Sequence, residues 1–577
     1  MTRPGRIAAK AVNQYRRRDV FAYLGLRYYL ENTSARSDQW AQQVATTLAS
    51  RRKSPGYLRV DHFKEVHAEK GVLHRSIFLP APNEALAEAA LLDACAQVGK
   101  AFSPAKSLFS YRLSGKEDLS GSFEHYMLGL KDRHAAIAAA CRGRPGSIVA
   151  HLDVQRFYPS ITCERARKAW FSACDASELG KAWTELGDHL LALHGEAPDG
   201  KPGNILTGPM LSHLIGNLVL RHIDEEMTGS KVAYFRYVDD ITLVGDPRDV
   251  KSAVSMLEDR LDDLGLRMHG RNSDKYLEVS SKDWLKGEHD FADGNVSDMP
   301  SWKTLIGDLK RFLVLRPEGR EDLIAALKSE DIRLPVPDYA VAVSERGYRE
   351  RFKMLFKAGW RKLRQPPPSI HDLVGQAARI REKSFSEASD LVEQMHSADA
   401  FLEKRLLPKI RYRFGRLAYL GQRHQLTDLA DQSSRFHSLT FQRVVATAIG
   451  SNDLSEILAY GANAAQAVAQ PLLMQNQRVA IPVAPTDQVG MQAVAVLQMN
   501  GVIAADAGIG GQASELLRFS ERGSNRQVMR SGAPWLREVS CLHGVSDTPR
   551  HRATLSTAFD EAEDIVLDAI EQGHQSS

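Results

Sequence analysis

Two aspartates, Asp239 and Asp240, stand side by side inside the run VAYFRYVDDITLVG, Val232–Gly245. The residues around them are apolar and β-branched, so the run reads as two strands with a tight connection. Two ionised carboxylates held at one hairpin tip repel each other, and burial raises that cost by several kcal/mol per uncompensated ion. A hard divalent cation removes the conflict, because Mg²⁺ takes one or two carboxylates together with substrate phosphates. A third carboxylate on a neighbouring strand would complete a site able to align an attacking hydroxyl and a leaving pyrophosphate. Asp153 is the candidate. It ends the apolar run IVAHLDV, where a lone acid is otherwise unwelcome.

The elements that must position these residues follow from local pattern. IVAHLDV (148–154) reads as a buried strand, and PSITCERARKAWFSAC turns into a helix. GPMLSHLIGNLVLRHIDEEM (208–227) reads as one amphipathic helix opened by Gly208-Pro209. DPRDVKSAVSMLEDRLDDLGL is helical up to Gly265, and residues 60–82 read as short strands. NEALAEAALLDACAQVGK (83–100) is expected to be a helix with an Asn cap. Strands mixed with helices give an α+β class. Beyond about residue 300 helical periodicity dominates, broken by RLPVPDYA and by QPPPS at Gln365–Ser369, and residues 370–577 read as all-helical without a clean repeat.

Composition narrows the class. The chain has 577 residues, 25% charged and 43% hydrophobic, with no apolar run long enough to span a bilayer and no secretory h-region. Five scattered cysteines without CxxC spacing fit a reducing cytoplasm and argue against a disulfide framework or a zinc site; Cys541, His543 and His551 also lack zinc spacing. Residues 1–60 carry 12 Lys/Arg against 3 acids, a balance of +9 that leaves −5 on the rest of a chain whose net charge is +4. Such a basic segment suits a polyanion, or a solvated arm. Tyr348–Arg364 holds seven Lys/Arg against one Glu, with Phe352, Phe356 and Trp360 on one helix face. Arg349, Lys353, Lys357 and Arg361 are therefore candidates to track a phosphate backbone. Lys404–Arg416 is similar and weaker.

In their order and spacing these residues resemble the polymerase motifs of a reverse transcriptase. YVDD at Tyr237–Asp240 resembles the motif C box. DVQRFYPSI, with Asp153 and an aromatic five residues on, resembles motif A. The resemblance implies that Asp153 and Asp239 hold the metals with Asp240 in support, that the Val154 carbonyl adds a ligand, and that Tyr158 lies under the sugar and selects dNTP over rNTP. ILTGPMLSHLIGNL resembles motif B, with Gly208 and Ser212 at the expected offset; there Gly208 would let backbone approach the template–nucleotide pair. LGLRMHGRNSDK resembles motif D, so Lys275, three after Asn272, would protonate the leaving pyrophosphate. KGVLHRSIFLPAPNEAL resembles a fingers motif whose Lys70 and Arg75 would clamp the triphosphate.

The departures point to a subgroup. Thr207 stands where motif B usually has Gln, Arg156 stands where a second acid is common, and LFSYRLSG (Leu108–Gly115) adds an aromatic-basic element. These features resemble the bacterial abortive-infection and unknown-group reverse transcriptases, a defence-associated class. The resemblance implies a right-hand fingers–palm, an antiparallel sheet with helices, followed by a large all-helical C-terminal region. The expected domains are a basic segment 1–60, fingers 61–145, palm 146–295, a thumb-like region 296–365 and a helical domain 366–577. It further implies Mg²⁺, with Mn²⁺ as a substitute, dNTP substrates, RNA or single-stranded DNA as partner, no membrane, a cytoplasmic setting, homo-oligomers as in several members, and antiphage defence, with synthesis that is protein-primed or non-templated in some members. Arg156, Thr207 and Tyr158 would surround the incoming nucleotide. Two alternatives stay open: a retron or group II intron-type enzyme copying a dedicated RNA, and an inactive scaffold that only holds nucleic acid.

Overall fold

The computed structural model describes residues 56–502, except 68, 116–120, 198–199, 272, 274, 293–298, 338, 341–367 and 476–484, together with Ile7, Lys10, Ala11 and Gln14. The chain is mixed helix and strand, mostly helical, with small antiparallel sheets. It divides into two compact units, the first built on Ser76–Gly294 and the second on Val60–Arg75 and the described residues from 299 to 502. Among the described residues no helix is long and apolar enough to cross a membrane. Asn272, most of the basic N-terminal segment, the whole of 348–364 with Arg349, Lys353, Lys357 and Arg361, and Cys541, His543 and His551 lie outside the described residues.

Strands β1 (Tyr57–His67) and β2 (Gly71–Pro80) pair as a two-stranded sheet whose far end belongs to the second unit. Helix α1 follows at Pro82–Cys95. Its cap is Ala81, with proline at the first turn and no side-chain cap, so Asn83 is not the capping residue expected from the sequence. All of α1 is buried, which erases the amphipathic pattern that usually marks a helix start.

The first unit centres on a four-stranded sheet in the order β4-β5-β3-β6, from β3 (Ile148–Asp153), β4 (Ala233–Tyr237), β5 (Asp240–Gly245) and β6 (Leu277–Ser280). The two central strands are antiparallel, with His151 opposite Thr242 and Asp153 opposite Asp240. Because side chains alternate along a strand, Val149, His151 and Asp153 share one face with Val244, Thr242 and Asp240. That face changes character along its length. At one end Val149 and Val244 are fully buried against Ile137 and Cys141 of α2 (Tyr126–Arg142). One helical turn earlier, Arg133 lies on the same stripe of α2 and meets Thr242. At the other end lie the two aspartates.

Helices α3 (Cys163–Asp175) and α4 (Lys181–Gly195) follow β3. The expected single helix over 208–227 is two: α5 (Met210–Val219) and α6 (Arg221–Thr228), which meet at Leu220. Helix α7 (Pro247–Asp263), capped by Asp246, buries Val250, Val254, Leu257 and Leu261 and ends before Gly265, whose φ of +64° favours glycine.

The second unit is helical. Its core joins Trp302, Leu305, Leu309 and Phe312 to Leu323, Leu327, Leu373 and Leu420. The basic run Lys404–Arg416 lies within a helix at Ala400–Leu420 and is partly turned inward: Arg413 pairs with Glu387, and Arg416 sits 4.3 Å over the Trp302 ring. Those two cations serve packing rather than a phosphate track. Lys10, counted with the basic N-terminal segment, is likewise buried, donating to the carbonyl oxygens of Ser114 and Gly115 and lying 3.6 Å from Asp93.

Candidate active site

Antiparallel pairing delivers Asp153 and Asp240 to directly opposed positions at one end of the sheet. Asp239 occupies the turn between β4 and β5, where its carbonyl oxygen accepts from the Val154 amide at 3.2 Å. The segment after Gly265 runs beside Asp153. His269 N donates to the Asp153 carbonyl oxygen at 2.9 Å, Gln155 N donates to the Arg267 carbonyl oxygen at 2.7 Å, and the Gln155 side chain donates to the Met268 carbonyl oxygen. This seats His269 Nε2 3.4 Å from Asp153 Oδ1.

The two carboxyls are pushed in opposite directions. Burial and the neighbouring Asp240 charge raise Asp153, against the opposing pull of His269, Lys275 and His151. Burial also works to raise Asp240, but His151, Arg133 and Lys275 outweigh it and hold that carboxyl below the usual aspartate range. A relay carries this effect. Arg133 Nη2 donates to Thr242 Oγ1 at 2.8 Å, Thr242 Oγ1 lies 3.2 Å from His151 Nδ1, and His151 Nε2 faces Asp240 Oδ1 at 3.5 Å. With its own oxygen accepting from Arg133, the threonine hydroxyl is free to donate to Nδ1, an arrangement compatible with an Nε2–H facing Asp240. Burial, with Arg133 and His151 nearby, pushes His134 down to about 4, so this ring stays neutral at pH 7.

A divalent cation fits this donor set. Burial and the Asp240 charge leave the Asp153 carboxyl raised even against His269, Lys275 and His151, a residual penalty that a cation would relieve. Among the described residues no group of three or more His, Cys, Asp or Glu side chains is arranged to hold a metal by itself. Mg²⁺ needs no such cage, being bound through one or two carboxylates with phosphates and water.

The remaining sequence candidates take varied places. Lys275 is exposed and close enough to act electrostatically on both Asp153 and Asp240. Arg156 is exposed on a left-handed backbone (φ +46°) at the start of the short turn Phe157–Ser160. Tyr158 is buried, its hydroxyl 2.6 Å from His213 Nδ1, and the His213 ring stacks on Tyr111 with centroids 3.8 Å apart. Ser212 is buried and donates to the Leu206 carbonyl oxygen at 2.6 Å. The close approach expected at Gly208 is made by β2: Phe78 N donates to the Thr207 carbonyl oxygen at 2.8 Å, and a Cβ at Gly208 (φ +124°) would lie 2.5 Å from the Phe78 carbonyl oxygen. Packing by the chain itself already requires a glycine here. Lys70 and Arg75 are exposed, in the part of the β1–β2 sheet that belongs to the second unit.

Sequence reasoning passed over His151, His269 and Arg133. His151 was accessible to it, since it lies two residues before Asp153 and must share its face. Nothing local marks the other two.

No family model and no curated protein matches the chain. Among solved structures it is similar to telomerase from Candida albicans in complex with the TWJ fragment of telomeric RNA, at 10% identity over 81% of this chain and 70% of that one, with a TM-score of 0.27. A likeness so slight carries no argument.

Proposed function

We propose that the chain is a nucleotidyltransferase of the reverse-transcriptase class, extending a 3′-hydroxyl, or a protein hydroxyl, with dNMP units. The observation that carries this reading is the opposition of Asp153 and Asp240 across β3 and β5, with Asp239 in the adjoining turn. The order and spacing of the polymerase-like motifs add support, as do exposed Lys275 and the imidazole groups of His269 and His151 beside the carboxylates, groups that suit a triphosphate. In this reading the first unit is the fingers and palm of a right-hand polymerase. Asp153, Asp239 and Asp240 would hold Mg²⁺, which neutralises phosphate charge and favours in-line attack when bound. Lys275 stands as proton donor to pyrophosphate, and Tyr158 bounds the sugar. The place in antiphage defence, the subgroup and the RNA or single-stranded DNA partner rest on the motif resemblance alone.

The test is incubation of purified protein with each labelled dNTP and Mg²⁺, with and without a primer–template. Incorporation that disappears in Asp153→Asn and Asp239→Asn supports the reading. Full incorporation by either variant overturns it.

A further inference from the structure

Val238 has φ +60°, in the left-handed region that a β-branched residue rarely enters. It directly precedes Asp239 and Asp240, so its backbone sets where both carboxylates emerge. Both of its polar backbone groups are held. Its amide donates to Ser110 Oγ at 2.7 Å, and its carbonyl oxygen accepts from Arg236 Nη1 at 2.9 Å. Arg236 is fully buried and is itself fixed by a two-pronged pair with buried Asp224, at 2.7 and 2.6 Å, with Tyr234 donating to the same carboxylate.

Ser110 lies in LFSYRLSG, the element singled out in the sequence and given no task by the catalytic reading. The structure runs this segment beside β4: Arg236 N donates to the Ser107 carbonyl oxygen at 2.8 Å, and Phe109 N to the Arg236 carbonyl oxygen at 3.0 Å. Helix α2 also closes on it at Gly129, where any Cβ would overlap the Phe109 carbonyl oxygen. The segment is thus held by both strand and helix, with its serine presented to the strained turn.

We infer that Ser110, Arg236 and Asp224 are positioning residues that clamp Val238 in its left-handed conformation and thereby set the two carboxylates of the turn for catalysis. This rests on the nucleotidyltransferase reading for its consequence in turnover, but not for the clamp itself. Removing one buried partner of the Arg236–Asp224 pair leaves an uncompensated charge and endangers folding. Ser110→Ala is the milder probe. Without its serine the turn relaxes toward a conformation easier for valine. Glycine at 238 takes the left-handed conformation without that penalty, so Val238→Gly should repair what Ser110→Ala damages.

Two measurements test this. In metal-free protein, amide exchange of peptides covering 236–241 should quicken about tenfold in Ser110→Ala, with the α7 peptides unchanged. In the dNTP assay Ser110→Ala should lower kcat about tenfold with KM within about twofold, and Ser110→Ala/Val238→Gly should recover most of that loss. A merely structural serine predicts additive losses in the double variant. Unchanged exchange at 236–241, or a double variant worse than Ser110→Ala alone, overturns the clamp. Full incorporation by Asp153→Asn or Asp239→Asn would overturn the polymerase reading instead, and the exchange result would still decide the clamp.

Discussion

Asp153 and Asp240 are direct partners in the β3–β5 register, yet the fold raises the carboxyl of one and lowers that of the other. The asymmetry comes from what lies behind each. Asp240 has the Arg133–Thr242–His151 relay, whereas Asp153 has burial and the Asp240 charge set against the weaker pull of His269 and Lys275.

Stability should therefore depend on pH in a residue-specific way. An aspartate whose folded pKa is raised binds its proton more tightly in the folded state. It opposes folding in full above that pKa, and the penalty shrinks as pH falls through it and is gone below the unfolded value of about 3.9. Asp240, with a lowered folded pKa, contributes stability above the unfolded value and loses it as pH falls through the folded one. Asp153→Asn in metal-free buffer should melt a few degrees above the wild type at pH 7, with the gain disappearing toward pH ~4, while incorporation falls by at least about 10²-fold. In Asp240→Asn the Asp153 carboxyl should titrate at lower pH, followed by carboxyl NMR. A melting curve for Asp153→Asn that lies below the wild type at pH 7 would contradict this account.

Sugar discrimination should depend on a residue that the motif pattern does not mark. The Tyr158 hydroxyl is bonded to His213 on α5, and the Tyr158 and His213 rings meet edge to face with centroids 5.2 Å apart. Tyr158→Ala should raise rNTP use strongly. His213→Ala should raise it about tenfold by freeing the Tyr158 ring, and Tyr158→Phe should cost about 1 kcal/mol of stability while keeping most selectivity. Single-nucleotide incorporation with matched dNTP and rNTP measures the first two, and denaturant unfolding the third. Selectivity unchanged in His213→Ala would separate the histidine from the gate.

How much of this was legible in the sequence differs by residue. Asp153, Asp239 and Asp240 stood out because acids interrupt β-branched runs, and such runs declare strands without tertiary help. His151 could have been read from alternation along β3 but was passed over. Arg133, His269 and the Asp224–Arg236 pair reach the turn through antiparallel pairing and helix docking, neither of which leaves a local mark. The two-helix break at Leu220 escaped because apolar periodicity continues across it. The fully buried α1 escaped a correct start because burial on every side removes the contrast that periodicity needs. Gly208 was singled out for close backbone approach, and the contact it makes with Phe78 of β2 could not be foreseen, since spacing says nothing of β2.

Gly208→Ala should accordingly behave as a folding variant first. Its Cβ would press on the Phe78 carbonyl oxygen from a backbone at φ +124° that L-residues avoid. A loss of about 2–4 kcal/mol is expected, combining backbone strain with displacement of the β2 contact. Denaturant unfolding checks it. A loss under about 0.5 kcal/mol with incorporation abolished would return this glycine to the nucleotide.

The far end of the β1–β2 sheet, which carries Lys70 and Arg75, offers a test within the second unit. Asp61 N donates to Gln492 Oε1 and Phe63 N to Asn463 Oδ1, both at 2.9 Å, and the Phe63 ring lies against Tyr460 and Phe441. Gly461 makes this possible. Its φ is +86°, and a Cβ there would lie 2.6 Å from the Asp61 carbonyl oxygen. Partners some 400 residues apart in sequence are joined here through one residue without a side chain. Gly461→Ala should strain its own backbone by about 1–3 kcal/mol and force the strand away. Amide exchange over 60–67 and 71–75 should then rise at least tenfold, while peptides from β3 and β5 keep wild-type protection. Protection retained at 60–67 in a folded Gly461→Ala protein would show that Gln492, Asn463 and the aromatic contacts hold the strand without the glycine.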